Sequence, residues 1–279
     1  MGYKSILTIV TDPKLSATQI DAAVALARRE DAHLDILCLG IDRAQTGYYY
    51  AGATAALHQE TFEYARAEAA EIENAVRARM ASEEIRWAVD TVVTQIATLT
   101  EPVAVEARFS DLVVLPQPYG GKDQHDLEAV LEAALFDGRA PVLVLPPAGL
   151  SATPPQRIVI AWNQSDESLI AIRAALPILK AASIVNITVI DPPSHGPERS
   201  DPGGLLSQFL ARHGVKTEVS VLAKTLPRVS EVLCRHARDI DADMIVMGGY
   251  GHSRFREAIL GGATRDMLEI AQIPVLMAH

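Results

Sequence analysis

The chain repeats its own pattern once, and that repeat constrains the fold more than any other feature of its 279 residues. Arg157-Ile158-Val159-Ile160-Ala161-Trp162 mirrors Lys4-Ser5-Ile6-Leu7-Thr8-Ile9-Val10. Each is a short, largely β-branched run that gives way to polar residues, so both read as first strands. Helical spacing follows over Ser16 to Glu30 and Asp166 to Ala181, each opened by a Ser or Asp suited to capping. Second strands, Leu34 to Ile41 and Val185 to Ile190, both run into Ile-Asp. Further on, Asp111 to Leu115 parallels Asp243 to Met247, and Ala140 to Val144 parallels Ile273 to Met277. The order β, α, β, α, β, α, β therefore occurs twice.

Matching points lie 152 residues apart at the first strands, then 149, then 132 or 133 at the last ones. The first half thus holds an insertion, the Ala/Glu/Arg-rich helical pattern from Tyr48 to Ser82. It reads as a solvated amphipathic helix before it reads as a partner surface. Continuous Val, Ile and Leu runs mean strands buried on both faces, and intervening helices force parallel pairing with right-handed crossovers. Pro146 to Pro155 has the composition of a linker. We therefore expect two doubly wound, parallel-sheet α/β domains in tandem. The first covers residues 1–146 with its insertion at about 44–82, a linker covers 147–156, and the second domain covers 157–279.

Composition excludes several classes. With 49% hydrophobic and 22% charged residues the chain can bury a sizeable core. No apolar run approaches the roughly 18 residues of a membrane helix, and the opening apolar stretch is too short for a signal peptide, so a soluble, cytoplasmic protein is expected. Cys38 and Cys234 form no metal or disulfide pattern and are expected to be structural thiols. The net charge of −10 argues against nucleic-acid binding. Residues 1–146 carry 12 Lys and Arg against 22 Asp and Glu, whereas 147–279 carry 13 of each, so an anionic ligand meets less repulsion in the second half.

In doubly wound folds ligands bind beyond the carboxyl ends of the strands, where strand order reverses. The richest such stretch is Met247 to Thr264, which leaves a buried strand, loops, and enters a helix between the glycine clusters Gly248-Gly249-Tyr250-Gly251 and Gly261-Gly262. Glycine lets backbone N–H groups approach a ligand closely, and a helix N-terminus near Gly262 to Thr264 adds free donors and partial positive charge. Phosphate suits that chemistry. Ser253 and Thr264 offer hydroxyls, and Arg254 and Arg256 offer charge. The plainer reading is that these glycines only end a strand and start a helix.

The spacing Gly248-x-x-Gly251, nine residues, Gly261, then a nearby hydroxyl resembles the nucleotide-binding signature of the universal stress protein family. The resemblance covers both halves, so the chain is similar to a tandem member with two family domains of the adenine nucleotide alpha hydrolase-like fold. It implies that Ala161 and Asn163 flank base and ribose, that Val189 contacts adenine, and that Gly248, Gly251, Gly261 and Gly262 hold ribose and phosphates. Ser253 and Thr264 join that set, with His252 and Arg254 as further candidates. Asn163 stands where the family usually has Asp, and Gly262 where it usually has Ser or Thr. Losing one phosphate hydrogen bond costs about 1 to 3 kcal/mol, which weakens binding rather than abolishing it. The implied ligand is ATP or another adenine nucleotide, with Mg²⁺ held only through the phosphates. The implied role is a stress-response binding protein. Family members dimerise, commonly through the last strand, so Pro141 to Val144 and Pro274 to Met277 are expected to pair within this chain as an internal pseudo-dimer. Assembly of two chains stays open, as does any protein partner. A nucleotide-independent interaction module and a slow ATP hydrolase remain alternatives.

The first half lacks this signature. Pro116 and Pro118 remove N–H donors, Asp123, Asp126, Glu128 and Glu132 add repulsion, and Thr11 stands opposite Asn163. It is expected to be a degenerate, nucleotide-free domain. Gly251-His252-Ser253-Arg254-Phe255 lacks the closing glycine of a nucleophile elbow, and Gly120-Gly121-Lys122 lacks the rest of a Walker loop. His125, His195, His213 and His236 read as surface residues, and Asn186-Ile187-Thr188 as a sequon without consequence in the cytoplasm.

Overall fold

A computed structural model describes residues 2–12, 16–43, 54–119, 125–192, 200–249 and 262–279, with the backbone alone at 16, 54–58 and 125. They form two compact units that part between Ala140 and Pro141.

In the N-terminal unit β1 (Ser5–Val10), β2 (His33–Asp42), β3 (Arg86–Gln95) and β4 (Leu112–Pro116) lie in the order β3-β2-β1-β4. Every pairing described is parallel. The helices between them are α1 (Ser16–Glu30), α2 (Thr54–Met80) and α3 (Thr100–Arg108). After β4 comes α4 (His125–Glu132), which widens into a π-helical turn over Ala133–Asp137. The Tyr48 to Ser82 pattern is helical over Thr54–Met80, and its Tyr48 to Ala53 portion lies outside the described residues. Ala65, Ala69, Ile72, Val76 and Met80 recur at steps of three and four and bury one stripe of α2. Gly40 of β2 makes the close seat possible, since a Cβ there would sit 2.7 Å from the Ala69 Cβ and against the Ala65 carbonyl.

The C-terminal unit takes β5 (Val142–Leu145), which closes the first repeat in chain order. It adds β6 (Arg157–Ala161), β7 (Ile184–Ile190), β8 (Thr217–Leu222), β9 (Met244–Gly248) and β10 (Val275–Ala278). Their order is β5-β10-β9-β6-β7-β8. β5 runs antiparallel to β10, with Val144 against Val275 and Val142 against Met277, while the other pairings are parallel. The helices are α5 (Asp166–Ala181), α6 (Gly204–Arg212), α7 (Val229–Asp239) and α8 (Ala263–Ile270). Ser165 caps α5 through its Oγ, which accepts from the Ser168 amide.

Helices α1 and α5 keep the bounds expected from spacing, and the continuous apolar runs form buried central strands. Each repeat has one strand more than the four read from sequence. The additions, β3 and β8, are the outer strands, and both mix exposed and half-buried residues. Half-exposed strands carry no unbroken apolar run, so the signal that revealed the others is absent there.

Candidate functional site

Strand order reverses at β6, whose neighbours are β7 on one side and β9 on the other. The carboxyl ends of these three strands carry the loops that hold the expected site.

Two helical layers can be told apart around them. Asn186 of β7 reaches His236 of α7, and Cys234 of α7 touches Met267 of α8, so α7 and α8 share a face of the sheet. Residues paired across parallel strands point the same way. Ala161, opposite Thr188 and Met247, and two places along from Asn186's partner Val159, therefore opens toward α7 and α8. Gly248 opens toward α5, because a Cβ added to it would lie 2.6 Å from the Ser168 amide nitrogen and 2.9 Å from the Glu167 carbonyl carbon. Val189 is buried on the α6 side, close to Gly203. A ligand over Ala161 thus meets Val189 and Gly248 through backbone alone, and the glycine at 248 already has a packing reason.

The β6 loop is held in a defined shape. Asn163 is exposed and its Oδ1 accepts from the Ser165 amide at 3.1 Å, bending the chain over Gln164, whose φ is 64°. A side chain in the left-handed region costs roughly 1 kcal/mol or more, which this turn and the Ser165 cap sustain. Trp162 is buried and donates its amide to the Thr188 carbonyl at 3.0 Å. Asp191, after β7, also has a positive φ of 45° and accepts the Lys224 amide on its Oδ1.

On the other side of the site α8 begins at Gly262, which is buried and supplies no side-chain cap. Gly262 itself thus offers the first amides of α8 no side-chain acceptor. Thr264, in the first turn, is 2% exposed. Asp266, in the same turn, is paired with Arg228 just before α7 at 3.1 Å. Gly251, His252, Ser253, Arg254 and Gly261 lie outside the described residues.

Sequence reasoning missed a polar cluster between β7, β8 and α7, centred on the buried Asn186 and Thr188. The Asn186 amide donates to Glu218 Oε1 and Ser220 Oγ, both at 2.9 Å, and its Oδ1 accepts from Thr188 Oγ1 at 2.7 Å. His236 Nε2 lies 3.1 Å from the same Oδ1. His236 is half-buried rather than a surface residue, and burial lowers its pKa against the opposing pull of Asp239 and Glu218. His213 is exposed as expected and packs edge-on against Phe209, while His195 and the His125 side chain lie outside the described residues. A visible signal for the cluster existed, since polar residues at 186 and 188 alternate within an apolar run.

The N-terminal unit fills its corresponding end with its own charges. Arg43, after β2, donates to Asp126 at the start of α4 and to Glu68 of α2, at 2.8 and 3.2 Å. Burial pulls the Arg43 guanidinium down, but the bonds and charges of Asp126 and Glu68 outweigh it and leave its pKa raised. Tyr119 donates to Glu128 at 2.7 Å. Asp126 and Glu128 thus occupy the positive end of α4 themselves. Cys38 is buried and Cys234 half-buried, and burial pushes their thiols up to about 12 and about 11, as expected of structural thiols. Among the described residues no group of metal-ligating side chains forms, and no helix is long and apolar enough to cross a membrane.

The model of the universal stress protein family matches residues 155–279. Over 92 residues the chain is 29% identical to a universal stress protein of Synechocystis sp., a stretch covering 33% of this chain and 31% of that relative. A crystal structure of a universal stress protein from Archaeoglobus fulgidus aligns with a TM-score of 0.73 at 14% identity, over 98% of this chain and 96% of the other. One of a protein of unknown function from Pseudomonas aeruginosa PAO1 aligns with a TM-score of 0.56 at 16% identity, over 99% and 92%. At these identities the two structures speak for the fold.

Proposed function

We propose, from the premise that residues 155–279 are a universal stress protein family domain, that this chain is a stress-response protein binding ATP or another adenine nucleotide in its C-terminal unit. The observation that carries the reading is the contrast at the carboxyl ends of the strands. In the C-terminal unit a helix starts at a glycine that supplies no side-chain cap, beside a shaped β6 loop, whereas in the N-terminal unit Asp126 and Glu128 sit at the helix start. An anion is favoured at the first end and repelled at the second.

Ala161 opens onto this crevice, and exposed Asn163 is available to a ribose hydroxyl with the lone pair that its turn leaves free. Gly251, Gly261 and Gly262 would admit phosphates to the backbone, with Ser253, His252 and Arg254 in the same loop. Thr264, buried in the first turn of α8, is the hydroxyl proposed to join them. Mg²⁺ would be held by the phosphates. The role proposed is regulation by the bound nucleotide in the cytoplasm.

Release of nucleotide from freshly purified, denatured protein, followed by calorimetry of the stripped chain with Mg-ATP, tests this. One adenine nucleotide per chain is expected, and Gly251→Val should remove it while the fold persists. No nucleotide and no heat would instead favour the interaction module, a reading supported by Gly248, whose glycine is required by α5 whether or not a ligand binds.

A further inference from the structure

The amino ends of the C-terminal strands, opposite the crevice described above, hold a cleft of their own. It lies where the last turn of α7 and the end of α8 meet the loops that lead into β9 and β10, and its volume is about 190 Å³. Buried Ala237 and Ile245 form its floor, and half-buried Ala242, Ile270 and Ile273 form its walls. An apolar cavity of about 150 Å³ accepts benzene, so this one has room for an apolar body of that size and the start of a polar head. The corresponding place in the N-terminal unit is filled. There Gly138, at the end of the π-helical turn, sits so close to α3 that a Cβ would come 2.8 Å from the Ala107 Cβ.

Two opposite charges stand at the mouth. Arg238, in the last turn of α7, and Asp241, in the turn that follows, both line the cleft and are exposed. Among the described residues neither makes an ion pair, with the other or with a third group. The Arg238 charge pulls the Cys234 thiol down against burial, as a guanidinium over the opening would, since Cys234 lines the cleft one helical turn earlier. The carbonyls that end α7 ask nothing of a ligand, because the Asp241 and Ala242 amides donate to the Arg238 and Ala237 oxygens at 3.1 and 2.7 Å. Gln272, at the same mouth, adds an amide that can donate or accept. A ligand that is only an acid would meet the Asp241 carboxylate, and one that is only an amine would meet Arg238. A cation and an anion beside one apolar cavity suit a molecule that carries both charges next to an apolar group.

We propose that this cleft binds a free apolar α-amino acid, with its side chain over Ala237 and Ile245, its carboxylate on Arg238 and its ammonium on Asp241. The guanidinium fork pairs a carboxylate through two parallel hydrogen bonds. A ligand of about a dozen heavy atoms in a site this open binds with a dissociation constant of about 1 mM. Nothing in this assignment rests on nucleotide binding, which concerns the other end of the strands.

Ligand-observed NMR titration of the full chain with phenylalanine, 3-phenylpropionate and phenethylamine tests this, since the three share one ring and differ in their head groups. Phenylalanine should bind about tenfold more tightly than either of the others, and Arg238→Gln and Asp241→Asn should each remove that advantage. Both substitutions are at exposed positions, and Asn tolerates the φ of 51° that Asp241 adopts, so the fold should persist. Saturating phenylalanine should also slow the alkylation of Cys234 by iodoacetamide, followed by mass spectrometry of its peptide, because that thiol lines the cleft. Equal binding of the three probes overturns the proposal, since the head groups would then go unread. So does phenylalanine binding that leaves Cys234 alkylation unchanged, or that Arg238→Gln leaves undiminished. Failure of every probe to bind at millimolar concentration overturns it outright.

Discussion

Two units of one pattern treat the same location in opposite ways. Between the second and third strands and the helix after them, the C-terminal unit sets Asn186, Ser220 and His236 in a bonded cluster with Glu218. The N-terminal unit puts carboxylates there: burial raises the Glu106 pKa, and Asp90 and Asp35 add to it. One is a satisfied network and the other an accumulation of like charge. A repeated backbone therefore constrains burial and strand order while leaving electrostatics free to diverge, and ligand chemistry follows the electrostatics.

The contrast can be broken or sharpened by substitution, beginning with the largest effect. Gly248→Val forces a side chain against the first turn of α5 and should destabilise the C-terminal unit by about 3 kcal/mol, while the corresponding position in the other unit is already Pro116. Hydrogen exchange resolved by unit checks this, and protection lost equally in both units would contradict it. Asn186→Ala removes the centre of the polar cluster and should cost about 1 kcal/mol, because it leaves the buried Thr188 hydroxyl without its acceptor while Glu218, Ser220 and His236 can turn to water. An unchanged denaturation midpoint would mean that the cluster is dispensable. Arg43→Ala breaks a pair whose cation is half-exposed, so the loss should be about 1 kcal/mol, confined to the N-terminal unit and without change in nucleotide affinity.

Acid should separate the units by sign. His236 has a folded pKa below its unfolded value, so its contribution is present above about pH 6.5 and lost as pH falls through the folded pKa. Glu106 has a folded pKa above its unfolded value, so its contribution is present at low pH and lost as pH rises through the folded pKa. Denaturation midpoints from pH 7 to 4 should show His236→Gln flattening the loss of stability on acidification. Glu106→Gln should raise neutral-pH stability by about 0.3 kcal/mol, a small gain because the site is solvated. Parallel pH profiles for both variants and the parent would remove the distinction.

Most of this architecture was legible because buried parallel strands announce themselves as apolar runs. The edge strands were not, since half of each faces water and the pattern dissolves into mixed residues. At the site, the position of Gly248 was legible but its reason was not, because the demand comes from Ser168 and Glu167, some 80 residues away in the chain. Asn186 was overlooked for a related reason: whether a polar residue inside a strand is a defect or a hub depends on what α7 brings to it, and the strand alone does not say.

The membership of β5 has a practical meaning for anyone dividing this molecule. The Pro- and Ala-rich segment 147–156 invites a cut, yet a fragment beginning there would leave behind the strand that flanks β10. Such a fragment would carry bare backbone donors and acceptors along Val275–Ala278 and be prone to self-association. One beginning at Pro141 keeps β5 paired with β10, the pairing that a cut at 147 would lose.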